Sequence, residues 1–236
     1  MSILKRLLFP HTYSSDAYIA FLRKKSIKIG KNCKIYSPNR VIIDTQRPHM
    51  LEIGNNVIIT DGVKILCHDY SRSVLCNYPG LGNVGESGFT KIGNNVFIGM
   101  NSIILMGSEI GDNSIIAAGT VVTGVFGSNV VIGGNPARVI CSISDFYKKR
   151  KDAELQAAKK YVECWFLKYG KYPTIYEMTN AFSWLYLPHT DETIEKYPSL
   201  FDLSGVDNKI YYDNFYNKKP IFNSFDEFID FCKIHE

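Results

Sequence analysis

The chain has 236 residues, 45% of them hydrophobic, and a net charge of +4. That length can bury a sizeable core, while so modest a charge, without a long basic stripe, makes nucleic acid an unfavourable partner. The six cysteines are scattered without a CxxC pair, and we identify neither a signal sequence nor an apolar stretch of membrane-spanning length. We therefore expect a cytoplasmic protein with reduced thiols and no membrane span.

Residues 1–26 predict a short N-terminal helical cap. Ser14 or Ser15 is a suitable N-cap residue, and apolar side chains that follow share one helical face. Basic residues 23–25 then fall in the last turn, where they interact favourably with the helix dipole.

A period of six residues dominates the middle of the chain. Six is neither the helical period nor a simple strand alternation, so it indicates a repeat architecture. Asn or Gly usually follows three residues after the repeated aliphatic residue, and both tolerate the left-handed backbone of a tight corner. We therefore predict a parallel β-helix over residues 27–141, with coils stacked about 4.8 Å apart. The repeated aliphatic residues are Ile29, Ile35, Ile53, Ile59, Ile65, Ile92, Ile98, Ile104, Ile110, Ile116, Val122 and Ile132.

Two interruptions break this repeat. The first, at about residues 44–50, is short and contains His49, whereas the second is a polar, glycine-rich loop at residues 69–90. A loop this long within a repeat is usually functional. His68 stands directly before it, at a hexad place that Asn or Gly holds elsewhere, Asn135 included. Histidine at that position either replaces Asn or Gly as a structural corner residue or has a functional role, and its position beside the loop favours a functional role.

Residues 142–236 lose the period and hold 21 of the 31 aromatic residues. We predict one helix from Ser144 to Tyr169, ended by Gly170, and a second after Pro173. A third is expected from Ser224, in a capping box, to about Ile234. This α-helical extension either covers the open end of the last coil or contacts a partner.

The run IGNNVFIGMNSIILMGSEIGDNSIIAAGTVVTG and the segment GGNPARVI at 133–140 resemble the hexapeptide-repeat acyltransferases. The similarity is closest to the branch with galactoside, maltose and polysaccharide O-acetyltransferases, and it covers about residues 27–141. It implies a mainly β fold: a left-handed parallel β-helix with a helical N-terminal cap and an α-helical C-terminal extension. It also implies acetyl-coenzyme A as cosubstrate, no metal, and a homotrimer with active sites between subunits.

By this resemblance His68, in the segment ILCHDYS, is the general base. An imidazole with a pKa near 6.5 can take the proton of an attacking hydroxyl and return it to the departing thiolate. Either Asp69 or a backbone carbonyl would orient the ring. Asp44, at the end of a strand about one coil away, is a candidate for binding a sugar hydroxyl. We accordingly assign Asp44 and Asp69 to substrate binding.

The resemblance also assigns Gly99, Ala118, Thr123 and Arg138 to the cofactor. Backbone groups near Gly99 and Ala118 would follow the pantetheine arm, and the Gly99 N–H or a neighbouring one would stabilise the oxyanion. Arg138 would lie near the nucleotide phosphates. Relatives often carry basic residues at two places where this chain has Gly124 and Cys141. The basic run at residues 148–151 either replaces them or forms a solvated helix face.

Saccharide O-acetylation is the leading functional interpretation, with a surface or capsular polysaccharide precursor as one class of acceptor. N-acetylation of an amino sugar or an antibiotic remains open, because the same base serves an amine. A zinc carbonic anhydrase would require three histidine ligands, and the predicted coils contain only His49 and His68. A non-catalytic scaffold does not account for a histidine at the mouth of the long loop.

Overall fold

A computed structural model describes residues 8–178, 181–201, 206 and 208–233. The chain divides after Phe146 into two compact units. In the described part of the first unit, the strands form three sheets, and every complete coil contributes one strand to each sheet. Neighbouring strands are parallel, except that β14 and β15 pair antiparallel.

Sheets A, B and C are named in the order in which the chain visits them. Sheet A contains β1 (Lys28–Ile29), β4 (Leu51–Ile53), β7 (Thr90–Ile92), β10 (Glu109–Ile110) and β13 (Val125–Phe126). Sheet B contains β2 (Lys34–Ile35), β5 (Ile58–Ile59), β8 (Val96–Ile98), β11 (Ser114–Ile116), β14 (Val130–Gly134) and β15 (Ala137–Ser142). Sheet C contains β3 (Ile42–Ile43), β6 (Lys64–Ile65), β9 (Ile103–Ile104) and β12 (Val121–Val122).

The repeated aliphatic side chains stack in columns inside the coils. The residues of the column in sheet B pair in register from coil to coil, and each is at most 2% exposed. Full burial of one such side chain contributes about 1.5–3 kcal/mol, so the columns supply most of the driving force for stacking. The predicted hexad core is therefore confirmed. This column consists of Ile35, Ile59, Ile98, Ile116 and Ile132.

Asn and Gly form the corners as predicted, with one exception. Asn56, for example, has φ of 55°, and Asn95 donates from Nδ2 to Asn113 Oδ1 of the next coil at 2.9 Å. Asn135 was wrongly assigned to a corner, since it is absent from the residues with positive φ. It lies in the turn where the chain reverses from β14 into β15, so the coil path has already ended.

The N-terminal helix α1 (Ser15–Lys24) packs on the first coil. Ser14, rather than Ser15, is its N-cap, and the Ser14 hydroxyl accepts a hydrogen bond from the Ala17 N–H at 3.2 Å. Ser15 instead accepts from the Ile35 N–H of β2 at 2.9 Å. One serine thus starts the helix while the next joins it to the β-helix.

Helix α3 (Ile143–Tyr169) begins one residue earlier than predicted, and Gly170 ends it with φ of 67°. The second unit has an aromatic core of its own, in which Tyr186 and Phe228 are fully buried. Within the described residues, no helix is both long and apolar enough to span a bilayer. The remaining helices are α4 (Asp191–Lys196), α5 (Asn208–Tyr216) and α6 (Phe225–Cys232); α2 (Arg72–Cys76) belongs to the loop after β6.

Three local predictions need correction. Instead of the helix expected after Pro173, residues 174–178 form a single turn, in which the N–H groups of Glu177 and Met178 donate to the Thr174 carbonyl. The long loop ends at Phe89, because Thr90 already belongs to β7. Helix α6 has the expected N-cap at Ser224, but the Glu227 carboxylate accepts from the N–H of residue 223, so the capping box is incomplete. The helix ends at Cys232, with Lys233 as its C-cap, two residues before the predicted end at Ile234, which itself lies outside the described residues.

Candidate active site

His68 lies where the polypeptide leaves the β-helix. The chain returns at Gly88, whose N–H donates to the Cys67 carbonyl at 3.1 Å. A Cβ on Gly88 would lie only 2.4 Å from the Gly107 nitrogen. Gly88 therefore stacks directly on Gly107 and occupies the corner position of its own coil. Every described non-glycine residue with positive φ is Asn or Ser, and His68 is therefore not a left-handed corner residue, contrary to the sequence-based placement.

Asp44 orients the His68 imidazole. Its Oδ2 atom lies 2.5 Å from His68 Nδ1 and also accepts from the Cys67 N–H at 3.1 Å. Its Oδ1 atom accepts from the Gln46 N–H at 2.9 Å. The two side chains are only 4% and 9% exposed, so the pair is held by burial as well as by hydrogen bonds. Asp44 follows β3 at the same corner at which His68 follows β6, one coil away.

The electrostatics of this pair determine which nitrogen of His68 is free. Burial acts to raise the pKa of Asp44, but the N–H groups of Gln46 and Cys67 and the His68 ring outweigh it and lower that pKa. Asp44 is therefore a carboxylate at neutral pH, and Nδ1 donates its proton to it. The lone pair on Nε2 is then left to accept a proton, as a general base requires.

Asp69 does not make the contact that would orient His68. Its Oδ1 atom accepts from the Ser71 N–H at 2.9 Å and from the Ser71 hydroxyl at 2.7 Å. Those hydrogen bonds lower the pKa of this exposed carboxyl group. Asp69 is thus engaged in a local turn, and Asp44, expected to bind sugar, holds the orienting position instead.

The long loop folds back over the same corner. Tyr70 meets the His68 ring edge-on, with 5.4 Å between ring centroids, and its hydroxyl lies 3.1 Å from Gln46 Oε1. Arg47 contacts both the carbonyl and the carboxylate of Glu86, and Arg72 Nε lies 3.7 Å from that carboxylate. Sequence reasoning missed all of these residues, because nothing in the spacing of a polar loop indicates where it folds back.

The residues assigned to the cofactor lie mainly at another corner of the coils. Gly99 and Ala118 both follow strands of sheet B and stack directly, since a Cβ on Gly99 would lie 2.5 Å from the Ala118 nitrogen. Arg138, exposed on β15, pairs with Gly133 of the adjacent strand. Exposed Thr123 instead follows sheet C, at the His68 corner but two coils further along. Within one chain these groups therefore do not converge on His68.

One expected role of Gly99 is not supported. Its N–H donates to the Ile116 carbonyl of the next coil at 2.8 Å, so it is not free to stabilise an oxyanion while that ladder is intact. His49 is exposed in a short 3-10 helix, Pro48–Met50. Across the described ranges, no cluster of three or more His, Cys, Asp or Glu side chains is arranged to hold a metal ion.

Comparison with known proteins gives this geometry a context. Residues 89–124 match the family model described as bacterial transferase hexapeptide (six repeats). The chain is 43% identical over 129 residues to Protein CapG of Staphylococcus aureus, a match covering 54% of this chain and 73% of that protein. The chain belongs to the hexapeptide-repeat bacterial transferases. The parallel β-helix is accordingly left-handed, as the resemblance implied.

This hexapeptide-repeat transferase is also 37% identical over 130 residues to galactoside O-acetyltransferase of Escherichia coli (strain K12), covering 54% of this chain and 59% of that protein. Among solved structures, a galactoside acetyltransferase in complex with coenzyme A matches with 28% identity and a TM-score of 0.42, covering 56% of this chain and 73% of that one. Within the family, the chain is an acetyltransferase similar to the O-acetyltransferases.

Proposed function

We propose that this transferase moves an acetyl group from acetyl-coenzyme A to a saccharide hydroxyl in the cytoplasm, through a ternary complex. A precursor of a surface or capsular polysaccharide is the proposed class of acceptor. The observation that carries the proposal is the buried Asp44–His68 pair at the base of the long loop. The acceptor class rests on the similarity to galactoside O-acetyltransferase and on exposed Tyr70 beside the base.

In this mechanism His68 moves one proton. Nε2 takes the proton of the acceptor hydroxyl as its oxygen attacks the acetyl carbonyl carbon, and Asp44 stabilises the resulting imidazolium. The carbon–sulfur bond then breaks, and His68 returns the proton to the departing sulfur. No net proton is gained or lost, so a base with a fixed tautomer suffices. Acetyl-coenzyme A supplies the activated acyl group.

A homotrimer would complete the site. The outward side chains of sheet A include the pair Lys28 and Glu52, which suits solvent. Sheets B and C instead present Phe97 and Ile42, which are 40% and 52% exposed, among several partly exposed aliphatic residues. If neighbouring copies covered these two apolar faces, the corner that carries His68 in one subunit would lie against the edge that carries Gly99, Ala118 and Arg138 in another.

Sedimentation equilibrium tests this assembly, and we expect a single trimeric species at micromolar concentration. Phe97→Glu, which places a charge on an apolar outward face, should yield monomers that retain their fold by circular dichroism but lose transferase activity. Lys91→Glu, on the charged face of sheet A, is the matched control and should remain trimeric. A monomeric wild-type protein with full activity would contradict the shared-site arrangement.

The function itself is tested by following release of free thiol from acetyl-coenzyme A in the presence of paired acceptors. Each pair would share a sugar ring and differ only in a hydroxyl or an amine at one carbon. We expect transfer to hydroxyl acceptors, and we expect His68→Asn to slow it about 10²–10⁴-fold. Preferential transfer to the amine of each pair would support N-acetylation instead. Absence of thiol release with every acceptor, while coenzyme A binds, would contradict the proposed acceptor class.

A further inference from the structure

The C-terminal unit contains a cavity of about 210 Å³. It opens between α3, the 3-10 helix Ser183–Leu185 and α5, and Trp184, Tyr211 and Phe215 form its aromatic wall. Sites for drug-sized ligands occupy roughly 300–1,000 Å³. A cavity somewhat smaller than these suits a single ring rather than an extended chain.

The acidic group of this cavity is already satisfied. Glu154 is the only acidic side chain among the described residues that line it. One of its oxygens accepts from the Trp184 indole N–H at 2.7 Å, and the other contacts the Lys151 ammonium. This arrangement fixes the indole plane and leaves no free carboxylate to attract a cationic ligand.

The remaining polar groups are predominantly donors. Exposed Lys218 contacts the Tyr147 hydroxyl at 3.1 Å, which occupies one of its three N–H groups, and exposed Lys219 lies beside it. His189 places Nδ1 2.6 Å from the Lys218 carbonyl and Nε2 3.0 Å from the Trp184 carbonyl. Both ring nitrogens therefore face carbonyl oxygens, and neither is available to accept a hydrogen bond from a ligand.

From this combination we infer that the C-terminal unit binds a pyranose that carries a carboxylate, such as a uronic acid residue. The aromatic wall covers the apolar C–H face of the ring, and Lys218 and Lys219 bind the carboxylate. A neutral sugar would leave the ammonium groups without an anionic partner. Binding here requires no acetyl transfer; only its use in holding an acidic polysaccharide acceptor rests on the proposed function.

The test measures binding of methyl β-glucuronide to the full-length chain by ligand-observed NMR titration, without acetyl-coenzyme A. Its methyl ester has the same ring but no charge, and we expect it to bind at least about tenfold more weakly, the loss of one charge-assisted hydrogen bond. Lys218→Gln/Lys219→Gln should weaken glucuronide binding by a similar factor. Lys160→Gln/Lys168→Gln removes the same charge from α3 outside this cavity and should leave binding unchanged.

His68→Asn separates this site from the catalytic one, because it should bind glucuronide as the wild type does even where transfer is lost. Equal binding of the acid and its ester would overturn the inference. So would equal weakening by the two double variants, since that would reflect net charge alone. Loss of glucuronide binding in His68→Asn would place the ligand at the active site and would also overturn it.

Discussion

The two units of this chain build their cores in opposite ways. In the β-helix, one residue type recurs at one place in each coil, and Ile59 meets its equivalents Ile35 and Ile98 directly. In the C-terminal unit, Tyr186 packs on Phe225 and Phe228 from a distant part of the sequence, with no repeated spacing. The contacts of a periodic core can be predicted from the spacing of residues in the sequence, whereas those of an aperiodic core can be identified only in the folded structure.

Catalysis gives the largest expected difference between the units, because the proposed chemistry lies entirely in the first. His68→Asn should lower kcat about 10²–10⁴-fold, since asparagine cannot take the proton of the acceptor. His68 does not occupy a left-handed corner, so the substitution carries no backbone cost there. Donor affinity, measured by calorimetry, should be nearly unchanged, and near wild-type turnover would rule out His68 as the base.

Core substitutions should distinguish the units by stability. Ile98→Ala removes a fully buried side chain from the β-helix, and Phe228→Ala removes one from the aromatic core. Each should cost about 2–5 kcal/mol in the free energy of unfolding. Denaturant unfolding followed by tryptophan fluorescence for the second unit, and by hydrogen-exchange mass spectrometry of β-helix peptides for the first, should show each substitution shifting mainly its own transition. A single transition displaced equally by both would mean that the units unfold together.

The same contrast explains how much the sequence could predict. Columns, corners and the long loop follow from the hexad period, because every position has the same neighbours one coil away. The sequence places Asp44 about one coil from His68, but the contact between them could not be inferred, because the period does not fix where side chains point once a coil is interrupted. The sequence also could not show that Gly88, rather than His68, occupies the corner, because that depends on where the long irregular loop rejoins the coil.

The C-terminal unit shows the limit of local signals. Gly170 and Ser224 ended and began helices as predicted, because caps act within a few residues. Around Pro173, by contrast, helix formation depends on tertiary contacts, and the chain forms a turn that Tyr161 also contacts through the Glu177 carbonyl. Such a contact spans 16 residues, beyond the reach of capping or propensity rules.

Among the substitutions that affect catalysis, Asp44→Asn should have the next largest effect after His68→Asn. It removes the anionic partner of His68 while keeping a side chain of similar shape. We expect kcat to fall about 10–100-fold with little change in donor affinity, because the ring loses the partner that fixes its tautomer and orientation. Asp69→Asn is the matched control and should change neither. Equal losses for both variants would contradict the orienting role of Asp44.

The same variant has a defined effect on stability. Because the folded-state pKa of Asp44 is lowered, the ionised carboxylate contributes stability above its unfolded pKa, near 3.9, and that contribution is lost as pH falls through the folded value. The wild type should therefore exceed Asp44→Asn in free energy of unfolding at neutral pH. Chemical denaturation from pH 7 to pH 3 should show this difference shrinking on acidification, and a difference independent of pH would contradict it.

The smallest effect should come from the exposed edge of the β-helix. Arg138→Ala should weaken acetyl-coenzyme A binding by roughly 1–2 kcal/mol, about the contribution of one hydrogen bond to a charged group. Because Gly124 and Cys141 are uncharged, Arg138 would carry much of the contact with the phosphates. If it binds the 3′-phosphate, dephospho-coenzyme A should lose less affinity on the same substitution. Isothermal titration of both ligands measures this, and equal losses would instead assign Arg138 to the diphosphate or to packing of β15 on β14.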